Sequence, residues 1–252
     1  ELNKQNTEVR KLLSDIEYLH NKLDLEIANK ENIDGIILQD YNKGVLTERL
    51  IKEVISIANE RNIPIGVDPK KKNFLAYQNA TFFKPNLKEL KEGIGISAKD
   101  DSIEEIVKAV DALQCRLNCR YVMTTLSERG VLIKDYETNA WHHIPAHLRK
   151  IADVSGAGDT VLSVAMLCLI CKEDAYNIAA LSNLAGGLVC EEIGAVPINK
   201  ERLFEESKKY HNNDFSRTVP GINVELFLHY IVLLLFFNEY RQSFRSVFCH
   251  IK

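Results

Sequence analysis

The sequence predicts an α/β fold of three layers, in which a mostly parallel sheet is covered by helices on both faces. Short apolar runs of strand type alternate with longer segments of helical periodicity, as crossover connections of a parallel sheet require. Polar residues follow the apolar runs directly, and no internal repeat interrupts this order before residue 211. With 252 residues the chain can bury a sizeable core.

The predicted elements follow one another in a regular order along the chain. Apolar residues spaced three and four apart predict a first helix over residues 9–23. The predicted strands are 35–38, 65–67, 81–83 and 121–125, followed by a hairpin of 131–134 and 140–143. The further predicted helices are 47–61, 102–117, 160–170, 175–192 and 200–210. Thr47 is the expected N-cap of the helix that it begins.

The composition excludes some classes of function. A net charge of -3 gives no indication of a nucleic-acid partner. Cys168 and Cys171 have the spacing of a metal pair, but they lie in an apolar helical pattern without a second pair. We therefore expect all six cysteines to be buried free thiols, which suggests a reducing cytoplasm. They are Cys115, Cys119, Cys168, Cys171, Cys190 and Cys249.

Both ends of the chain are unusual. The first residue is Glu rather than Met, which suggests a fragment. A polar run at 211–214 indicates a boundary between a domain of residues 1–210 and an apolar extension of residues 211–252. The apolar segment 226–237 is short for a bilayer span, so a membrane partner is not expected. A packed helix, a helix that binds a partner and an unnatural extension all remain open.

The segment from Asp153 to Thr160 is the most informative part of the chain. Gly156, Ala157 and Gly158 predict a tight loop that opens a buried helix, where free amides favour an anion. Asp159 would repel a phosphate there unless it has a task, such as taking a proton from an attacking hydroxyl. The segment therefore indicates a phosphotransferase. The structural alternative is an ordinary helix start with an acidic residue that favours the dipole.

Four polar clusters follow the predicted parallel strands directly. Ligands of open parallel sheets bind beyond the carboxyl ends of the strands, so these clusters indicate one site. The clusters are Asp40 with Lys43, Asp68 with Lys70, Asn86 with Glu89, and Thr125 with Ser127.

Four motifs, in the same order along the chain, resemble those of ribokinase-like (pfkB) sugar kinases over about residues 30–208. Residues 153–160 resemble the C-terminal signature of that family, and 84–90 resemble its Pro-Asn-x-x-Glu segment. Residues 124–131 are similar to its nucleotide-side strand and turn, and 181–187 to its adenine-side helix. The resemblance implies the ribokinase-like three-layer α/β/α fold and a kinase that uses ATP and magnesium.

A narrower resemblance concerns the acceptor. The strings Asp-Tyr-Asn-Lys-Gly at 40–44 and Asp-Pro-Lys at 68–70 look like those of the heptose-7-phosphate kinase domain of ADP-heptose synthesis, which serves lipopolysaccharide. This implies transfer of the ATP γ-phosphate to the anomeric hydroxyl of D-glycero-D-manno-heptose 7-phosphate. The two lysines at these strand ends would suit a phosphate monoester by charge.

The resemblance also implies roles for single residues. Asp159 matches the catalytic base, and the amides of Gly156, Ala157 and Gly158 match the anion hole. The segment Asn86, Leu87, Lys88 and Glu89 matches the part that handles magnesium and phosphate, with Glu89 acting through water. From spacing alone, Asn86 and Glu89 equally predict a helix-capping box.

The remaining site residues are assigned in the same way. Thr125, Ser127 and Gly130 match the edge of the nucleotide pocket, and Asn183 matches a residue near the adenine or ribose. Asp40, Lys43, Asp68 and Lys70 are expected to face the sugar phosphate. Asp153 and Ser155 resemble the ligands that hold a monovalent cation such as K⁺ in some relatives. For each of these sets, an ordinary turn, helix or solvated loop remains the structural alternative.

The family's first segment is not found in the chain. That segment carries strands, a Gly-Gly sugar loop and a lid that often builds a homodimer, and nothing before Asp34 resembles it. We therefore expect a fold without the N-terminal strands and lid, and weak activity of the chain alone.

Two other functions and a weaker third remain open. One is a kinase of the same family that acts on a fructose phosphate, a nucleoside or a vitamin alcohol. Another is a nucleotide-binding remnant without catalysis, acting through protein contacts. A membrane-associated role of the apolar extension is the third.

Overall fold

The computed structural model describes residues 34–95, 101–147 and 149–214. The predicted helix at 9–23, the apolar segment 226–237 and Cys249 lie outside these residues.

The described residues form one mixed sheet of six strands, in sequence order along the sheet. The strands are β1 (Ile36–Gln39), β2 (Ile65–Asp68), β3 (Phe82–Phe83), β4 (Tyr121–Thr125), β5 (Val131–Asp135) and β6 (Trp141–Ile144). Strands β1 to β4 are parallel, and β5 and β6 add an antiparallel hairpin to β4. The predicted strands and the mostly parallel sheet are confirmed, and the four parallel strands end at the same edge.

Six helices and two short 3₁₀ turns accompany the sheet in the described part of the chain. The helices are α1 (Glu48–Glu60), α2 (Leu87–Ile94), α3 (Ile103–Leu117), α4 (Ala157–Ile170), α5 (Ala175–Val189) and α6 (Lys200–Asp214). The 3₁₀ turns are Lys71–Asn73 and Ser127–Arg129. Thr47 caps α1 as predicted, because its side chain accepts a hydrogen bond from the amide of Leu50.

Three helix ends differ from the sequence prediction. Helix α4 begins at Ala157 rather than residue 160, because Gly156 is its N-cap with a φ of 80°. Helix α5 ends at Val189, before the predicted residue 192. Helix α6 continues through Asp214, so the polar run at 211–214 lies in its last turn.

Side chains that alternate along the strands divide the core into two clusters, one on each face of the sheet. Val67 and Phe83 pack with α1 and α3 on one face. Phe82 and Met123 pack with α4 and α5 on the other face. The predicted three-layer α/β/α arrangement is confirmed, and it places the start of α4 beside the ends of the parallel strands.

The cysteine prediction is correct only in part. Among the described residues no cysteine forms a disulfide, but only Cys119 and Cys168 are buried. Cys115 and Cys171 are exposed, and Cys190 is partly buried. Cys171 is exposed because it is the C-cap of α4, where the apolar surface of the helix ends.

Candidate active site at the ends of the parallel strands

The predicted polar clusters meet at the carboxyl edge of the sheet. Asp40 follows β1, Asp68 ends β2 and Lys84 follows β3, and the amide of Asp40 donates to the carbonyl of Asp68 at 3.0 Å. One further bridge pairs Asn86 with Thr125 at the end of β4. The parallel register therefore brings residues from four strand ends to one place.

Asp159 lies in the first turn of α4 and faces this edge. A Cβ added to the neighbouring Gly158 would lie 3.7 Å from Nζ of Lys84 and 3.8 Å from Oδ2 of Asp68, so the helix start lies directly against that pair. The hydroxyl of Tyr41 donates to Oδ2 of Asp159 at 2.9 Å. The predicted base thus lies in the cluster of polar strand ends, as the phosphotransferase hypothesis requires.

The surroundings of Asp159 raise the pKa of its carboxyl above the ordinary value. Partial burial is the main cause, and the charge of Asp68 adds to it. The hydrogen bond from Tyr41 and the charges of Lys84 and Lys70 act in the opposite direction. A carboxylate with a raised pKa is a stronger proton acceptor than a free aspartate, which suits a general base.

Lys84 and Asp68 form a buried ion pair beside the start of α4. Lys84 is only 3% exposed, and its Nζ lies 3.0 Å from Oδ2 of Asp68. The sequence motifs assign no separate role to Lys84, although it follows the apolar pair Phe82–Phe83 directly. A charged residue immediately after a short buried strand is the signal that could have identified it. Its ammonium group is placed to meet an anion at the start of α4.

Lys70 extends this charge arrangement to the helix α2. Its Nζ lies 2.6 Å from Oε1 of Glu89 and 3.9 Å from Oδ1 of Asp68. Burial acts to lower the pKa of Lys70, but the hydrogen bond with Glu89 and the charges of Asp68, Glu89 and Asp159 outweigh burial, so this pKa is raised. Lys70 is therefore charged at neutral pH, and it lies in ion pairs with Asp68 and Glu89 at the edge of the sheet.

Asn86 and Glu89 form the capping box that their spacing predicts. Oδ1 of Asn86 accepts from the amide of Glu89 at 2.8 Å, and Oε2 of Glu89 accepts from the amide of Asn86 at 2.9 Å. Between them, Leu87 packs against the core and the exposed Lys88 lies 4.0 Å from Glu92. Asn86 and Glu89 therefore have a structural role as the cap of α2.

Only a few carboxylates at this edge of the sheet are available, among the described residues, to bind magnesium. In the described ranges, His, Cys, Asp and Glu form no group of three or more that could hold a metal ion. Magnesium bound with a nucleotide needs only one or two protein carboxylates, since phosphates and waters complete its shell. Both oxygens of Glu89 already accept protein hydrogen bonds. Glu89 therefore fits a water-mediated contact, as the sequence prediction has it.

Asp40 anchors the loop after β1 rather than presenting a free carboxylate. It is 2% exposed, and its Oδ2 accepts from the hydroxyl of Tyr77 at 2.8 Å. Its Oδ1 accepts from the amide of Asn42 at 2.6 Å. To contact the sugar phosphate as predicted, the carboxylate of Asp40 would have to accept a further hydrogen bond in addition to these two. Lys43, three residues further on, is exposed at the rim.

The residues predicted for the nucleotide lie on the β4 side of the edge. The amide of Thr125 donates to the carbonyl of Pro85 at 3.2 Å, and the exposed Ser127 begins the 3₁₀ turn that leads to Gly130. Asn183 on α5 is 8% exposed, and its Nδ2 donates to the carbonyl of Pro145 at 2.9 Å. The structure thus gives Asn183 a tethering bond to the loop after β6.

Gly130→Ala is expected to destabilise the fold more than the matched change Gly95→Ala. Gly130 has a φ of 87°, and a Cβ there would lie 2.0 Å from the carbonyl oxygen of Ile144. Because that atom is backbone, we expect a loss of about 3 kcal/mol. Gly95 has a φ of 73° with nothing within 4 Å, so its loss is about 1–2 kcal/mol. Urea unfolding measures the free energy of unfolding of both variants. Equal losses of stability would mean that the clash with Ile144 does not determine the cost at Gly130.

Asp153 and Ser155 form a closed turn before the glycine loop. Oδ1 of Asp153 accepts from the amide and the hydroxyl of Ser155 at 3.0 and 2.8 Å, and Oδ2 accepts from the amide of Gly194 at 3.0 Å. These bonds, those with Ser155 first, lower the pKa of Asp153. Asp153 is thus ionised near neutral pH, which suits a cation, although each of its oxygens already has a protein donor.

The loop of Gly156, Ala157 and Gly158 begins α4 and is the predicted anion hole. The amide of Ala157 donates to the carbonyl of Val154 at 3.3 Å, so it takes part in the turn. Gly156 supplies the left-handed turn before the helix. The amides that follow in the first helical turn have no helical acceptor, so Gly158 and Asp159 are the better candidates for an anion hole than Ala157.

A half-buried carboxylate beside a helix start, with two lysines at neighbouring strand ends, is an arrangement typical of a phosphotransferase. The chain belongs to the pfkB family of carbohydrate kinases, whose family model matches residues 2–202. This match begins at residue 2, whereas the sequence motifs carry the resemblance only from about residue 30.

Curated relatives are identical to this chain at about a third of the aligned positions. The chain is 33% identical over 193 residues to the bifunctional protein HldE of Campylobacter curvus, which covers 77% of the chain. It is 37% identical over 175 residues to HldE of Syntrophotalea carbinolica, which covers 69% of the chain. The chain spans only 40% and 35% of the lengths of these two relatives.

Solved structures of related folds agree with the architecture. The phosphofructokinase-2 of Escherichia coli in complex with potassium has a TM-score of 0.66 at 18% identity, covering 76% of this chain and 62% of that protein. The ribokinase of Arabidopsis thaliana with ribose and ATP has a TM-score of 0.57 at 16% identity, covering 67% and 54%. These similarities show the ribokinase-like fold.

No helix in residues 34–95, 101–147 and 149–214 has both the length and the apolar character that a membrane crossing requires.

Proposed function

We propose that this chain carries the kinase site of a protein that transfers the γ-phosphoryl group of ATP to a hydroxyl of a sugar phosphate. The observation that supports this most is Asp159, a half-buried carboxylate at a helix start, beside the buried pair of Lys84 and Asp68. Family membership gives the same class of reaction.

Each residue of the site is proposed to have one role in the transfer. Asp159 takes the proton of the acceptor hydroxyl, and its raised pKa favours that transfer. Lys84 and the first amides of α4 face the charge that develops on the transferred group. Magnesium, when bound with ATP, neutralises phosphate charge, and Glu89 would hold one of its waters. Lys70 and Lys43 are the cations available for the phosphate of the sugar.

We propose D-glycero-D-manno-heptose 7-phosphate as the acceptor, with the 1,7-bisphosphate as product in ADP-heptose synthesis. Support comes from the strings at 40–44 and 68–70 and from the HldE relatives. Use of ATP and the free thiols both favour a reducing cytoplasm as the place of action.

A panel of acceptors tests this proposal with the purified chain, ATP and magnesium. The panel contains the heptose 7-phosphate, fructose 6-phosphate, a nucleoside and a vitamin alcohol, and ³¹P NMR identifies the product. We expect a bisphosphate from the heptose 7-phosphate at a higher kcat/KM than from any other acceptor. A better acceptor elsewhere in the panel would identify another kinase of the family. ATP binding without turnover of any acceptor would indicate a remnant that only binds nucleotide.

A further inference from the structure

Tyr41 joins the loop after β1 to the start of α4. Its hydroxyl donates to Oδ2 of Asp159 at 2.9 Å across a separation of 118 residues. The residue is 57% exposed, so its ring contributes little to the core. The main contact of this tyrosine is therefore polar, and it is made with the residue that we propose as the base.

The loop on which Tyr41 lies is held in place on both sides of it. Asp40 before it is buried and accepts hydrogen bonds from the hydroxyl of Tyr77 and the amide of Asn42. Asn42 after it has a φ of 53°, a left-handed conformation that its short polar side chain tolerates. The neighbouring residues thus fix the backbone of Tyr41. The phenol therefore extends towards Asp159 from a fixed backbone position.

Asp159 receives this hydrogen bond on only one of its two oxygens. In the described part of the chain no donor contacts Oδ1. The other charged groups that face Asp159 are Asp68 from β2, Lys84 after β3 and Lys70 from the loop after β2, and they act through space. The bond from Tyr41 therefore occupies Oδ2 and leaves Oδ1 without a donor among the described residues.

We propose that Tyr41 is a positioning residue for the phosphoryl transfer: it holds Oδ2 of Asp159 and leaves Oδ1 to receive the proton of the acceptor hydroxyl. This role rests on the proposed function. In the step itself, the acceptor O–H proton passes to Asp159 and the acceptor oxygen forms a bond to the γ-phosphorus. The bond from the γ-phosphorus to its bridging oxygen breaks, and that electron pair leaves with ADP.

Tyr41 acts as a donor and not as a second base. Partial burial, followed by the charge and hydrogen bond of Asp159 and the charge of Asp68, raises the pKa of its phenol above the ordinary value. The phenol therefore keeps its proton throughout the range in which kinases are assayed. A permanent donor on Oδ2 stabilises the ionised form of Asp159, which is the form that can accept a proton.

The variant Tyr41→Phe tests the proposal because it removes the hydroxyl and keeps the ring. In a ¹³C NMR titration, with Asp159→Asn identifying the signal, we expect the pKa of Asp159 to be higher in Tyr41→Phe than in the wild type. With the best acceptor of the panel we expect kcat to fall about tenfold and the acid limb of kcat/KM to move to higher pH. The KM for ATP should not change.

Tyr136→Phe is the matched control, since Tyr136 is also an exposed tyrosine, and its hydroxyl contacts Cys115 instead. It should leave the titration and the pH profile as in the wild type. An active wild type whose kcat and acid limb are the same in Tyr41→Phe would overturn the role of Tyr41 alone. Absence of turnover by the wild-type chain on every acceptor would overturn the proposed function and this role with it, whatever the titration shows.

Discussion

Asp159→Asn is expected to lower kcat about a hundredfold or more while the affinity for ATP remains nearly unchanged. Asparagine has the shape of aspartate but cannot take the acceptor proton. In the wild type, activity is present above the pKa of Asp159 and is lost as the pH falls through it. Since burial raises that pKa, the acid limb of kcat/KM should lie above the range of a free aspartate. Steady-state kinetics and calorimetry with ATP measure both effects.

Asp174→Asn is the matched control for this prediction. Asp174 also lies at a helix start, where its side chain caps α5, and asparagine caps a helix equally well. The control should keep wild-type kcat and stability. If Asp159→Asn lost ATP binding and turnover to the same extent, Asp159 would have a structural role or a role in nucleotide binding instead of acting as the base.

Lys84→Met is expected to cost about 3–5 kcal/mol of stability, because it leaves the buried charge of Asp68 with only the more distant Lys70, at 3.9 Å. The Asp68 side chain is only 7% exposed and cannot be solvated in place. The double variant Lys84→Met/Asp68→Leu removes both charges and should recover most of this loss. It should nevertheless show no turnover, because it lacks both the cation beside the start of α4 and Asp68, which is predicted to face the sugar phosphate. Urea unfolding and the kinase assay separate the two effects.

Lys134→Met provides the comparison for a buried lysine outside the site. Lys134 pairs with Asp111, whose side chain is 44% exposed and can be hydrated when the partner is removed. We therefore expect a smaller loss than in Lys84→Met, with kcat unchanged. Similar losses of stability in the two variants would mean that the burial of Asp68 does not determine how much stability Lys84→Met loses.

The parts of the fold and site that follow local rules could be predicted from the sequence. Apolar runs identified the strands, since a buried parallel strand is apolar on both faces. Asn86 and Glu89 are three residues apart, and the capping box that they form depends on that spacing alone. The sequence also predicted that the polar residues after the strands lie close together, because parallel strands end at the same edge of the sheet.

The pairings inside the site could not be predicted in the same way. The bond between Tyr41 and Asp159 and the pair of Lys84 and Asp68 join residues that are distant in the sequence. Their formation depends on the register of β1 to β3 and on side-chain rotamers, neither of which leaves a periodic pattern. The sequence prediction likewise began α4 too late. Gly156 is the N-cap of this helix, and its left-handed conformation depends on the path of the chain through the fold.

The order of the parallel strands has a consequence for how such an enzyme can change its substrate. Each strand end contributes a separate part: Tyr41 follows β1, Asp68 ends β2 and Lys84 follows β3. Because hydrogen bonds between the strands fix these points relative to one another, the loop after β1 can be exchanged while the β2 and β3 contributions stay in place. Acceptor choice and the hydrogen bond from Tyr41 can then change together in evolution, while Asp68 and Lys84 keep their places.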